Sequence, residues 1–210
     1  MAEFEINPRK SCLLIIDMTN AFLLPGAPIE VPEGLSLIPR LRALINVCRD
    51  KGLRIIFITH AYRKDGSDLG LHPAFDPTIR RKNILREGTS DVEFHSQLKP
   101  QKDDIVIVKR RFSAFVGTEL DLILRNNEID TLIIGGVVTS VCCECTARDA
   151  RNRDYKVIFL SNGTAAMDVP DLGWGRISAS DVQRHVLANM AYDFAQVLSV
   201  EQVINILSKS

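Results

Sequence analysis

The chain has 210 residues, of which 46% are hydrophobic, and its 26 basic residues are matched by 26 acidic residues. This length suits one domain with a full core, which we expect to span residues 1–210. The balanced charge and the lack of a long apolar run argue against nucleic acid or a membrane as partner, and no secretory signal or disulfide framework is apparent, so we expect a soluble, cytoplasmic protein.

The first half of the chain begins with a buried strand. Residues 12–16 form a continuous apolar run, typical of a parallel strand covered on both faces, and Asp17 follows it. Residues 35–51 carry leucines at helical spacing, and residues 53–59 predict a second strand. The stretch 60–102 shows no clear element, and loops of this length are often functional.

The second half of the chain continues the alternation of strands and helices. Strands are predicted over 105–108, 131–134, 155–160 and 196–199, and helices over 117–126, 144–152, 180–194 and 200–207. Ser180 and Asp181 are expected to cap the helix that they begin. The alternation predicts an α/β fold of three layers, with a six-stranded parallel sheet between helices.

Cys142 lies between the strand over 131–134 and the next helix. The backbone N–H groups and the dipole of a helix start favour a thiolate there. Cys143 and Cys145 are explained as small buried side chains. The spacing Cys142-x-x-Cys145 leaves a redox pair open, whereas a zinc site would need two more ligands that no second Cys pair or nearby His supplies.

Asp17, Lys109 and Cys142 each follow a predicted parallel strand, so they share one edge of the sheet. Polar residues commonly resume at strand ends, which is the alternative explanation. The three residue types nevertheless suit nucleophilic acyl transfer, because a carboxylate can accept the thiol proton and an ammonium can stabilise the thiolate. Helix-start N–H groups can bind the oxyanion. No nucleotide-binding motif is present, and we expect no cofactor.

Three motifs occur in order along nearly the whole chain. They read Asp17-Met18-x-Asn20-x-Phe22, then Lys109 before Phe112-Ser113-x-Phe115-x-Gly117-Thr118-x-Leu120-Asp121, then Gly136-Val137-Val138-Thr139-x-x-Cys142 with Thr146-Ala147-x-Asp149-Ala150. Together they resemble the isochorismatase-like cysteine hydrolases.

The resemblance implies a catalytic triad of Asp17, Lys109 and Cys142. It also implies the strand order 3-2-1-4-5-6, a cis peptide bond between Val137 and Val138, and an oxyanion hole formed by the N–H groups of Val138 and Cys142. A homodimer or homotetramer is implied as well. Substrate-binding positions are expected at Asn20, Phe22, His60, Arg63 and Phe115.

The family resemblance also indicates which bond is cleaved and whether a metal takes part. Members that cleave isochorismate lack the cysteine, so Cys142 implies hydrolysis of a C–N bond. Metal-dependent nicotinamidases carry an Asp two residues before a His after the second strand, and Thr59-His60-Ala61 lacks this Asp, so we expect no catalytic metal. Residues 60–70 are similar to N-carbamoyl and ureido amidohydrolases, which predicts a small amide or ureido substrate.

Two departures from that branch leave the substrate open. Lys109 is followed by Arg110-Arg111-Phe112, which matches the Pro-Lys-x-x-Tyr pattern only in part, and Cys143 stands where the family often has Val. We expect Arg63 to anchor a carboxylate, with Arg110, Arg111 and Arg176 as the next candidates. A catalytically idle binding protein on the same fold and a nicotinamidase-type amidase are the alternatives.

Overall fold

Six parallel strands form the centre of the protein. In this computed structural model, which describes residues 3–209, the strand order is 3-2-1-4-5-6, as the resemblance implied. Met1, Ala2 and Ser210, at the ends of the expected domain, lie outside the described residues. The strands are β1 (Ser11–Ile16), β2 (Arg54–His60), β3 (Ile105–Lys109), β4 (Thr131–Val137), β5 (Lys156–Ala165) and β6 (Gln196–Leu198).

Helices cover both faces of the sheet, which confirms the three-layer α/β/α prediction. They are α1 (Asn20–Leu23), α2 (Ile38–Asp50), α3 (His72–Phe75), α4 (Thr78–Arg81), α5 (Leu120–Asn126), α6 (Glu144–Arg151), α7 (Ala179–Asn189) and α8 (Val200–Lys209). Apolar side chains of α2 and α8 pack on one face of the sheet, and those of α5, α6 and α7 pack on the other.

Strand β1 shows why its sequence is apolar at every position. Leu13 and Ile15 belong to the core on the α2 face, whereas Leu14 and Ile16 belong to the core on the α6 face. All four are fully buried, because successive side chains of a strand point to opposite faces. Burial of each side chain stabilises the fold by roughly 1.5–3 kcal/mol.

Two local predictions differ from the structure. The cap of α7 is Ser178, whose Oγ accepts a hydrogen bond from Asp181 N at 3.2 Å, so the prediction that Ser180-Asp181 forms the cap was wrong. The segment 60–102, for which no element was predicted, contains the short helices α3 and α4. Among residues 3–209, no helix has the length and apolar character needed to cross a bilayer.

Candidate active site

The ends of β1, β2 and β3 bring three polar side chains to one edge of the sheet. Asp17 directly follows β1, and its backbone has a φ of 52°, in the left-handed region that few residues other than glycine adopt. Its N–H donates to the carbonyl of Ile58 at 2.8 Å, which keeps it beside β2. His60 and Lys109 are paired at the last register position of β2 and β3.

Cys142 reaches the same edge through β4. Gly136 passes so close to β1 that a Cβ atom there would lie 2.0 Å from the carbonyl oxygen of Ile16, which only glycine allows. The peptide bond between Val137 and Val138 is cis, as the resemblance implied. A π-helical turn over Thr139–Cys143 then leads into α6, so Cys142 lies in that turn, two residues before α6 begins.

Lys109 bridges the other two members of the predicted triad. Its Nζ lies 2.8 Å from Asp17 Oδ2 and donates to Cys142 Sγ at 3.2 Å. All three side chains are buried, and the Lys109 ammonium is fully enclosed. The structure therefore brings together the three residues that the sequence analysis grouped by their strand ends.

Burial decides the resting protonation of this cluster. It raises the pKa of the Cys142 thiol above its ordinary value, and the nearby Lys109 charge only partly opposes the effect. Burial acts to lower the pKa of Lys109, but the charges of Asp17 and Cys142 outweigh it and raise that pKa. The resting group is therefore an ammonium beside a thiol, and the expected preference for a thiolate at the helix start is outweighed by burial.

His60 is a fourth polar residue of this edge. Its side chain is 2% exposed, and its Nε2 has no hydrogen-bond partner among the described residues. Burial and then the charge of Lys109 hold its pKa well below the usual range, so the ring is neutral. His60, Asp17 and Cys142 each offer one metal-ligand atom within 4.8 Å of the other two.

A cavity of about 760 Å³ opens beside the triad. Val141, the neighbour of Cys142, lies in its wall, and most of its lining is apolar or aromatic. The lining consists of Tyr62, Leu69, Gly70, Leu71, His72, Phe75, Asp76, Arg111, Phe112 and Val141. The ring of His60 packs against Tyr62, His72 and Phe112, with centroid distances of 4.8, 6.1 and 6.2 Å. This arrangement makes the cavity the candidate substrate site.

None of the five expected substrate-binding residues belongs to the lining of this cavity, and three of them have other contacts. Asn20 donates from its side chain to the carbonyl of Ser90 at 3.0 Å. Phe22 belongs to the core on the α2 face, and Phe115 belongs to the core on the α6 face. Their positions support structural roles, whereas His60 lies between the triad and the cavity wall.

The arginines of the loops differ in where they lie. Arg63 lines a separate, open groove with Lys64 and Glu87, away from the cavity wall. Arg111 lines the cavity itself and donates to the carbonyl oxygens of Asp68 and Arg110 at 2.9 and 2.7 Å.

The other two candidate arginines are engaged in ion pairs. Arg110 pairs with Asp68 at 2.9 Å and also with Glu87, and Arg176 pairs with Asp168. Of the four candidate arginines, Arg111 is the one that lines the cavity.

The aromatic wall of the cavity was not predicted from the sequence patterns. The hydroxyl of Tyr62 and Nδ1 of His72 share a hydrogen bond of 2.7 Å, which joins the segment after β2 to α3. The alternation of Tyr62 with His60 beyond the strand was a usable signal. Nothing in the sequence pattern indicated that His72 or Phe112 would join them.

Comparison with known proteins agrees with the resemblance found in the sequence motifs. Residues 11–202 match a family model described as the isochorismatase domain. A protein named "Probable inactive nicotinamidase" from Arabidopsis thaliana is 32% identical over 160 residues, which cover 75% of this chain and 82% of that protein. A ureidoacrylate amidohydrolase from Pantoea ananatis is 29% identical over 174 residues, covering 75% of this chain and 70% of that protein.

The fold is also found among solved structures. The crystal structure of a cysteine hydrolase from Pseudomonas syringae pv. phaseolicola matches with a TM-score of 0.96 and 38% sequence identity. The match covers 99% of this chain and 96% of that one.

Proposed function

The chain belongs to the isochorismatase family, and we propose that it is a cysteine-dependent amidohydrolase that cleaves a C–N bond of a small amide or N-carbamoyl compound. One observation carries the proposal: a single buried ammonium, that of Lys109, lies 2.8 Å from the carboxylate of Asp17 and 3.2 Å from the sulfur of Cys142. These are the residue types that thiolate formation and acyl transfer require.

In the first half of the proposed reaction, Asp17 accepts the proton of the Cys142 thiol while Lys109 stabilises the thiolate. The sulfur attacks the amide carbon, an S–C bond forms, and the carbonyl oxygen becomes an oxyanion. The N–H groups of Val138 and Cys142 are the proposed oxyanion hole. Collapse breaks the C–N bond, and Asp17 returns the proton to the leaving nitrogen, which departs as ammonia or an amine.

In the second half, water hydrolyses the thioester. Asp17 accepts a proton from the water, whose oxygen forms the new bond to the acyl carbon, and the S–C bond breaks. The departing Cys142 thiolate is held by Lys109 until Asp17 returns the proton. Asp17 is a buried acid–base group near the sulfur and suits both half-reactions, because in each of them it accepts one proton and later returns one.

The proposed substrate has an acidic group that meets Arg111. A guanidinium can bind a carboxylate through two parallel hydrogen bonds, and Arg111 is held in the cavity wall by two backbone carbonyl oxygens. The relative named for ureidoacrylate hydrolysis supports a ureido acid as the first substrate class to test. The neutral ring of His60 offers a further hydrogen-bonding group.

A catalytically idle binding protein is the second candidate, because one relative carries the words "inactive nicotinamidase" in its name. The two candidates differ in whether a substrate acylates Cys142, because the resting thiol is buried in both cases. An idle cysteine would form no acyl adduct with any amide of the panel. A redox role for Cys142 and Cys145 is tested by Cys145→Ser, which retains most of its activity if the proposal is correct.

The test is ammonia release from a panel of primary amides, N-carbamoyl amino acids and ureido acids. We expect turnover of at least one member, its loss in Cys142→Ala, and most of the activity in Cys143→Ser and Cys145→Ser. These matched controls remove neighbouring thiols from the same turn and helix. Turnover by purified Cys142→Ala would contradict the mechanism, and no turnover across the panel would favour the idle protein.

We also propose that the chain forms a homodimer or homotetramer. Trp174 and Leu172, in the loop before α7, are 91% and 74% exposed, and Tyr192 is 83% exposed. Exposed large apolar side chains in this number support burial against a second copy. Light scattering coupled to gel filtration would give the number of subunits. The cytoplasmic location stays a prediction.

A further inference from the structure

Asp17, His60 and Cys142 leave two polar atoms uncommitted at the centre of the site. Lys109 approaches Oδ2 of Asp17, whereas Oδ1 is buried and has no hydrogen-bond partner among residues 3–209. The same holds for Nε2 of His60. A buried polar atom without a partner is unfavourable, so two such atoms beside one sulfur indicate a ligand between them.

We propose that these three side chains bind a Zn²⁺ ion that inhibits the enzyme by occupying the sulfur of Cys142. A thiolate, an imidazole and a carboxylate are the ligands that zinc takes in proteins, and the soft thiolate selects zinc over magnesium or calcium. On binding, the Cys142 S–H bond is broken, an S–Zn bond forms, and the proton passes to solvent. No electron transfer is involved.

The geometry is close to that of a zinc site. One ligand atom from each residue lies within 4.8 Å of those of the other two. Zinc–ligand distances of about 2.0–2.3 Å place tetrahedral ligands about 3.5 Å apart, so side-chain shifts of about 1 Å suffice. Nε2 of His60 has no hydrogen-bond partner among residues 3–209, so this ring nitrogen is available to coordinate a metal.

The Lys109 charge weakens zinc binding, so the proposed inhibition of the enzyme is reversible. Its ammonium lies 3.2 Å from the sulfur, so the metal must enter beside a positive charge, which weakens binding. A bound zinc also occupies the sulfur lone pair that attack on a substrate needs. Chelators should therefore leave activity unchanged or raise it. The inhibition rests on the proposed role of Cys142 as nucleophile, whereas metal binding does not.

The experiment titrates the full chain with Co²⁺, which reports sulfur ligation by a charge-transfer absorption band, and then displaces it with Zn²⁺. Loss of an outer-shell partner typically weakens metal binding about 10–100-fold, so loss of the His60 ligand should weaken it at least tenfold. His60→Ala and His60→Gln are both measured, because the smaller residue removes a buried ring. Cys142→Ala should abolish the band.

Two histidines provide matched controls for metal affinity. The Nδ1 atom of His72 is occupied by the hydroxyl of Tyr62, and His185 is exposed on α7. His72→Ala and His185→Ala should therefore keep the affinity within about twofold of the wild-type value, which is a shift of about 0.4 kcal/mol. A tenfold loss in either variant, with His60 variants unaffected, would overturn the assignment.

The remaining outcomes separate the metal site from the proposed reaction. A cobalt–sulfur band that depends on His60, together with turnover that Zn²⁺ does not inhibit, would support the site and refute Cys142 as the nucleophile. Cys142-dependent turnover with no cobalt band would refute the site and leave the reaction intact. If His60→Ala does not fold, His60→Gln and protection of wild-type Cys142 from alkylation by Zn²⁺ decide the question.

Discussion

Replacing Lys109 by Met would test the buried ion pair that organises the candidate site. Methionine keeps the apolar stem but removes the ammonium, leaving the Asp17 carboxylate buried without its counter-ion. Removal of one partner of a buried pair typically lowers the free energy of unfolding by about 3–5 kcal/mol. At about 2–4 °C per kcal/mol for a chain of this size, the melting temperature should fall by about 6–20 °C.

The double variant separates stability from chemistry. Asp17→Asn combined with Lys109→Met removes both charges, and replacement of a whole buried pair is often close to neutral. We therefore expect the double variant to be more stable than Lys109→Met alone, while its hydrolytic activity remains absent. Recovery of stability without recovery of activity is the signature of residues that serve the reaction.

Urea unfolding of the purified variants provides the measurement. The slope of the unfolding free energy against urea concentration should be the same in all variants. Lys156→Met is the matched control, because its 3.0 Å ion pair with Asp130 is exposed, and such pairs contribute about 0–1 kcal/mol. The reasoning would be refuted if Lys109→Met changed the unfolding free energy by less than about 1 kcal/mol, or if the double variant lost as much as the two single variants together.

Three further predictions follow from the charges of the site. Asp17→Asn should speed alkylation of Cys142 by iodoacetamide, since the Asp17 charge raises the pKa of that thiol, and Lys109→Met should slow it; equal rates in both variants would contradict this. Arg111→Ala should raise KM for a ureido acid by about 10–150-fold, equivalent to 1.5–3 kcal/mol, whereas Arg63→Ala should change kcat/KM less than about twofold; the reverse order in steady-state kinetics would restore Arg63 as the anchor. Burial raises the pKa of the Cys142 thiol above its ordinary value of 9.0, as it does for Cys12, Cys48 and Cys143, so the stability that these thiols contribute is present below about pH 9 and lost as the pH rises further. Urea unfolding at pH 8 and pH 10.5 should show a decline that is smaller in Cys142→Ala than in the wild type, and an equal decline in the two proteins would contradict the share assigned to Cys142.

The inner strands β1, β2 and β4 could be predicted from sequence because nearly all of their residues are buried. The edge strand β3 is equally apolar in sequence, although Val106 and Val108 are exposed. An apolar residue is favoured at every inner position, as in Leu13 to Ile16, and the apolar run stops where the strand ends. That stop predicted the location of Asp17 and Lys109. The cysteine followed from the same logic, since a glycine pair and a helix start flank the end of β4.

Features that depend on the path of a loop could not be predicted in the same way. Arg63 and Arg111 both follow strands at the active edge, and their sequence neighbourhoods are similarly basic. The loop after β2 folds back because the side chain of Asp68 accepts a hydrogen bond from Arg63 N at 2.9 Å, and its backbone carbonyl holds Arg111. With these contacts, Arg63 lies in the separate groove and Arg111 lies in the cavity wall.

The helix cap and the buried polar atoms could not be predicted from the sequence either. Ser178 and Ser180 are equally good caps by residue type, and the choice depends on Asp168, which accepts a hydrogen bond from the N–H of Ala179 at 2.7 Å. Among residues 3–209, Nε2 of His60 has no hydrogen-bond partner, and this is likewise a property of the packed site that no local sequence pattern indicates.

The central claim is that Cys142 forms a covalent acyl intermediate. The most direct measurement is rapid acid quench of the wild-type protein with the panel member that releases ammonia fastest, followed by mass spectrometry of the peptide that contains Cys142. We expect an adduct equal to the substrate minus ammonia on Cys142, retained in Cys143→Ser and absent in Cys142→Ala. Ammonia release without an adduct on Cys142, together with full turnover by Cys142→Ala, would contradict the account.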